Sequence, residues 1–158
     1  MTRLDTKLDA NPVFMGLWQG SRILPGTDLS RFDVLVLTST EFQPPSDWFK
    51  STRPLQVIRV PIEDETFKGS PPEVDLVCRA ACKVATLIRN GKRVLVTCYM
   101  GLNRSGLISA LALRLAYDVP ADEAIKLVRA AREGALFNPM FVKIIKNLNC
   151  RVARRNSC

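Results

Sequence analysis

Short β-branched runs separated by proline and glycine fill the first third of the chain, and apolar residues at helical spacing dominate the second half. Residues 13–21 (VFMGLWQGS) and 33–39 (DVLVLTS) predict extended pieces of one sheet, with Pro25-Gly26 and Pro44-Pro45 as turn punctuation. Residues 55–62 (LQVIRVPI) predict another strand, closed by Pro61 and the acidic triplet Glu63-Asp64-Glu65, and a loop with Gly69, Pro71 and Pro72 follows. Over residues 73–90 the apolar positions Val77, Ala80, Ala81, Val84, Leu87 and Ile88 recur at helical spacing, and Gly91 supplies a stop. Residues 92–98 (KRVLVTC) have the nearly continuous apolar centre of a strand buried in a mostly parallel sheet. The segment SGLISALALRLAY that follows is apolar on nearly every side and predicts a buried helix. Pro120, Asp122 and Glu123 open another helix, running to about Arg132 and stopped by Gly134, and a last one is expected over residues 139–148. The tail CRVARRNSC is expected to fray.

Strands alternating with helices predict an α/β fold, a central mostly parallel sheet flanked by helices. With no internal repeat or linker, the 158 residues read as one domain, its core over about residues 12–149 and its ends flexible.

Charge narrows the partners. The 23 Lys and Arg against 15 Asp and Glu leave +8, which favours anionic partners such as phosphate esters, nucleic acid or an acidic surface. Between Asp75 and Asp118 there are seven Lys/Arg and no acid, and five more basic residues without an acid follow Gly134. Histidine is absent, which removes Ser-His-Asp and Cys-His mechanisms and most zinc sites; no metal or cofactor is expected. Five cysteines (Cys78, Cys82, Cys98, Cys150, Cys158) without a disulfide-scaffold spacing fit a reducing cytoplasm, with Cys78 and Cys82, one helical turn apart, as packing residues. Arg114 interrupts the best apolar run, so no membrane span is expected, and the N-terminal MTRLDTKLDA is too polar for a signal peptide.

Candidate chemistry concentrates in VLVTCYMGLNRSGL, where a strand runs into Cys98, Gly101, Arg104 and Ser105 as a helix begins. In α/β sheets ligands bind where strands end and helices start, because the first helical N–H groups have no intrahelical partner. A loop of this length can wrap its amides around one phosphoryl group, with Gly101 permitting a backbone conformation that other residues resist. Those amides, with a guanidinium, also favour a thiolate over a thiol. Arg104 offers a two-pronged fork to phosphoryl oxygens that lysine cannot copy. A core cysteine would need none of these neighbours.

C-x5-R followed by Ser resembles the signature loop of the cysteine-dependent protein tyrosine phosphatases, and the short chain resembles their dual-specificity branch. GLWQGS is similar to that family's early strand, VPIEDE to its acid-bearing loop, and EAIKLVRAAREGALFNPMF to the helices after the signature. The resemblance implies that Cys98 attacks phosphorus to form a phosphocysteine and that Arg104 binds the equatorial oxygens. It implies that the amides of Tyr99, Met100, Gly101, Leu102, Asn103 and Arg104 hold the phosphate. The Ser105 hydroxyl would stabilise the departing sulfur, and Asp64 would protonate the leaving oxygen and then help activate water. Glu63 and Glu65 are the substitutes if the loop register is off by one, and Asp75 is a more distant candidate.

Two positions depart from the pattern. Thr97 stands where the family has histidine, and Asn103 gives GLNRSG, nearer the RNA 5′-triphosphatase relatives. The implied activity is metal-independent hydrolysis of phosphotyrosine, with phosphoserine and phosphothreonine, in phosphorylated proteins or other phosphate esters. Asn103 and the +8 charge motivate the triphosphate end of RNA or a phosphoinositide as alternative substrates. A non-catalytic phosphate-binding module would be a different class, against which the retention of Cys98, Arg104 and Asp64 argues. Lys68, after the acid loop, is a further residue able to touch an anionic substrate, whereas Trp18, Trp48 and Phe49 read as packing residues. Cys78 or Cys82 would serve as a resolving thiol for oxidised Cys98 only if the fold brought them close.

Overall fold

A computed structural model describes residues 8–158; the expectations for the extreme N-terminus, 1–7, lie outside the described residues. Strands β1 (Ala10–Phe14), β2 (Leu17–Gly20), β3 (Val34–Ser39), β4 (Gln56–Ile62) and β5 (Val94–Thr97) form one sheet in the order β1-β2-β5-β3-β4. Only β1, paired with β2, runs antiparallel. The helices are α1 (Pro71–Arg89), α2 (Arg104–Tyr117), α3 (Ala121–Ala131), α4 (Pro139–Asn147) and α5 (Cys150–Ser157).

Strand β5 lies between β2 and β3, and all its side chains are buried, as its unbroken apolar run requires. Alternation sorts the central strands between two cores. Val34, Val36, Val94 and Val96 join the larger one, to which all five helices contribute buried residues. Leu35, Leu37 and Leu95 point the other way, into a smaller core with Ile23, Leu29 and Phe32 that the long loops close. Trp18, T-stacked on Phe32, and Phe49 pack against this smaller core, and Trp48 donates its indole N–H to the Ile23 carbonyl.

Four expectations change. Residues 13–21 are not one extended piece: the chain reverses at Met15-Gly16, where Gly16 has φ of +82°, so β1 and β2 form a hairpin. Helix α1 begins at Pro71 because Ser70 and Glu73 form a reciprocal capping box with Pro71 at the first turn. The tail expected to fray forms α5, opened by the Asn149 side chain and resting on α1 and α2. That helix carries Cys158 to α1, where it forms a disulfide with Cys82; Cys82 is therefore more than a packing residue. Among the described residues, no helix is long and apolar enough to cross a membrane.

Candidate functional site

The C-terminal ends of the parallel strands face one cleft of about 660 Å³. The segment after β3 brings Glu41 to it, the segment after β4 brings Glu63, Asp64 and Glu65, and the turn from β5 into α2 brings Cys98 to Arg104. A loop that must reverse from strand to helix in so few residues exposes one polar edge of its backbone, and here the edge is sorted. The Tyr99 carbonyl accepts from the Arg22 amide (3.2 Å), the Leu102 carbonyl from the Leu136 amide (3.2 Å) and the Asn103 carbonyl from the Leu107 amide (2.8 Å). The Met100 carbonyl accepts from Arg132 Nη2 (3.1 Å), and that of Gly101 accepts from Gln19 Nε2 (3.0 Å) and Arg132 Nε (2.8 Å). The amides of Tyr99 to Arg104 have no acceptor among the described residues. Carbonyls turned out and amides left free make an anion-binding concavity at a helix N-terminus. Gly101 makes the close approach feasible: its φ is +73°, and a Cβ there would lie 2.5 Å from the Gly20 carbonyl carbon.

Cys98 is 3% exposed at the base of this loop, its amide donating to the Gly20 carbonyl and its Sγ lying 3.1 Å from Ser105 Oγ. Arg104, also buried, is gripped end-on by both oxygens of Glu41: Nη1 donates to Oε2 at 2.6 Å and Nη2 donates to Oε1. Nη1 donates as well to the Ile62 carbonyl at 3.1 Å, while Nε is buried without a partner among the described residues. Burial works against the Arg104 charge, but the Glu41 carboxylate outweighs it and holds the guanidinium above its ordinary pKa. Reciprocally, the hydrogen bond from Arg104 keeps Glu41 below its ordinary value.

Asp64 is brought to the same cleft and held by two amide side chains. Asn103 Nδ2 donates to Oδ2 at 3.0 Å, and Asn138 Nδ2 donates to Oδ1 at 2.7 Å and to the Asp64 carbonyl at 3.2 Å. The Asn138 backbone N–H in turn donates to Asn103 Oδ1 (3.1 Å), which closes a ring joining the acid loop, the signature loop and the start of α4. Glu63 and Glu65 line the cleft from exposed positions. Asp75 is not brought to it; it pairs with Arg79 one turn along α1. Lys68 and Cys78 open instead on a separate cavity beside α4 and α5, and neither Cys78 nor Cys82 lines the cleft with Cys98. Thr97 is buried, and its hydroxyl donates to the Val36 carbonyl across the sheet (3.2 Å).

Four participants escaped the sequence reading: Glu41, Asn138, Gln19 and Arg132. Glu41 follows the end of a parallel strand, a position where ligand contacts gather, so topology was its available signal. Asn138 precedes the proline that opens α4 and caps it, Nδ2 being free for Asp64 because Oδ1 accepts from Met140. Gln19 inside a strand and Arg132 at a helix end carry no local mark of their contacts with a loop eighty and thirty residues away.

Comparison with known proteins places this geometry. A family model described as "Dual specificity phosphatase, catalytic domain" matches residues 13–150. Among curated proteins, none matches the chain. Solved structures share the fold at low identity. A mutant form of Tk-PTP is 24% identical, with 91% of this chain and 96% of that one covered and a TM-score of 0.74. Human DUSP28 is 20% identical over 94% and 97% with a TM-score of 0.72, and a mouse putative dual specificity phosphatase 20% over 98% and 95% with 0.73.

Proposed function

The chain belongs to the dual specificity phosphatase family, and from that premise we propose that it hydrolyses phosphate monoesters, phosphotyrosine and with it phosphoserine and phosphothreonine, through a phosphocysteine at Cys98. The observation that carries the reading is the sorted loop: amides of Tyr99 to Arg104 without acceptors, around a buried thiol and a guanidinium whose Nε is still unused. Phosphate would occupy the cradle, taking those amides and the Nε–Nη2 edge of Arg104, which adjoins the Nη1–Nη2 edge held by Glu41. The Cys98 thiolate attacks phosphorus as the ester P–O bond breaks, and Asp64 delivers its proton to the departing oxygen. Water then attacks the phosphocysteine, Asp64 takes a proton from it, and the S–P bond breaks to release inorganic phosphate. The Ser105 hydroxyl, 3.1 Å from Sγ, donates to the sulfur as it regains its charge. No metal ion enters this scheme, and the substrate is a phosphorylated protein.

Cys98→Ser tests it. Turnover of an aryl phosphate should disappear while vanadate still binds, because the cradle survives and the hydroxyl is a far weaker nucleophile. Arg104→Lys should also remove most activity, since one ammonium cannot occupy both the Glu41 grip and the phosphate edge. Appreciable hydrolysis by the Cys98→Ser protein overturns the covalent mechanism.

A further inference from the structure

The charge of the chain and the charge of its cleft have opposite signs. Glu41, Glu63, Asp64 and Glu65 line the cleft, and among the described residues Arg104 is the one cation that does. The basic block that surrounds the signature in sequence is directed elsewhere. Arg79 pairs with Asp75, Arg93 with Asp33, and Arg114 donates to the Ile145 and Leu148 carbonyls. Arg132 reaches the loop, but from behind, where it is neutralised by Asp9 and used by carbonyls. Arg22 lies over the Tyr99 ring, 4.2 Å from its centroid, outside the cleft lining. Glu41 is committed to Arg104 and Asp64 to two asparagine amides, which leaves Glu63 and Glu65 exposed and without an ion-pair partner among the described residues.

We infer that this rim selects a phosphoryl group carried on a peptide with lysine or arginine beside the phosphorylated residue, and discriminates against substrates bearing further phosphates. The inference rests on the phosphatase reading and adds its substrate class. A single phosphoryl group is met by the amides and Arg104, whatever the rim carries. A second or third phosphate on the same substrate must lie outside that cradle, against carboxylates at distances inside a Debye length, where repulsion is incompletely screened. A cationic flank meets the same carboxylates favourably, through exposed pairs that are individually weak but act on every substrate encounter. Tyr99, Met100 and Phe137 add exposed apolar surface at the mouth, suited to peptide side chains rather than to an inositol or a ribose. Both features that suggested RNA lose their force in space, because the +8 is not at the cleft and the Asn103 side chain is occupied by Asp64 and the Asn138 amide.

The test compares one phosphotyrosyl peptide sequence with its flanks made lysine, alanine or glutamate, beside a triphosphorylated RNA, a phosphoinositide and para-nitrophenyl phosphate. For the wild-type protein at low salt, kcat/KM should fall from lysine to glutamate flanks by about tenfold in total, from a few weak ion pairs. The ratio should shrink towards unity at high salt and in Glu63→Lys and Glu65→Lys proteins. Equal rates across the flanks, preference for glutamate, or faster hydrolysis of the RNA or phosphoinositide than of the lysine-flanked peptide overturns the inference. Failure to turn over even para-nitrophenyl phosphate would instead count against the phosphatase reading. The flank preference would then be read from the affinity of the uncleaved peptides, equal affinities overturning it.

Discussion

Asn103 is the side chain whose role changes most between the linear sequence and the fold. It precedes α2, where asparagine ordinarily caps a helix, yet its side chain makes no capping bond and its Nδ2 reaches Asp64 instead. With Asn138 it fixes the position of the Asp64 carboxyl, the proton donor of the proposed mechanism, so both asparagines would act through Asp64. Asp64→Asn should slow phosphoserine peptides, whose alkoxide leaves poorly, by about a hundredfold or more, and aryl phosphates with good leaving groups much less, since proton donation is typically worth about 10² to 10⁴. Asn103→Ala should show the same leaving-group dependence in weaker form. Steady-state rates against a series of substituted phenyl phosphates measure both; a flat response in Asp64→Asn assigns the proton to another group, Glu63 and Glu65 being the carboxylates beside it.

The β5-to-α2 turn has its shape because two glycines meet. Gly101 at positive φ packs against the Gly20 carbonyl at the end of β2, and Gly20 itself leaves no room for a Cβ against Asp9 and Ala10. Gly101→Ala combines a strained backbone with overlap on main-chain atoms that cannot rotate aside. The expected outcome is loss of phosphate and vanadate binding with the secondary structure retained, because the clash is confined to the loop and the hairpin beneath it. Isothermal titration with vanadate and far-ultraviolet circular dichroism read the two parts separately, and undiminished vanadate affinity would show that the loop tolerates another shape. Gln19 and Arg132 brace the same loop through the Gly101 carbonyl, so strand β2 and the end of α3 hold it from two sides.

Across the whole molecule, carboxylates at low pKa tie distant segments to the site. Arg132 keeps Asp9 below its ordinary value and Arg104 does the same for Glu41, chiefly through hydrogen bonds. A carboxylate whose pKa is depressed by folding adds stability above its unfolded pKa, about 4, and that contribution is lost as pH falls through the folded value. The melting temperature should therefore hold steady through neutral pH and decline below about pH 4, and Glu41→Gln should flatten that acid limb. Differential scanning calorimetry across the range measures it; an acid limb unchanged in Glu41→Gln would mean the Arg104 pair contributes nothing to folding. The linear sequence was sufficient for the alternation of strands and helices, since apolar period and turn residues are local signals, and for the grouping of Cys98, Gly101, Arg104 and Ser105, since a strand-to-helix turn is continuous in the chain. It offered no view of the Glu41 grip on Arg104, the asparagine ring around Asp64 or the Cys82–Cys158 bond, each of which joins residues more than thirty positions apart. Nor did it reveal that six of the seven basic residues around the signature stay out of the cleft lining, where acids outnumber Arg104, because the sign of a local field depends on which side chains face it, and only the packed fold determines that.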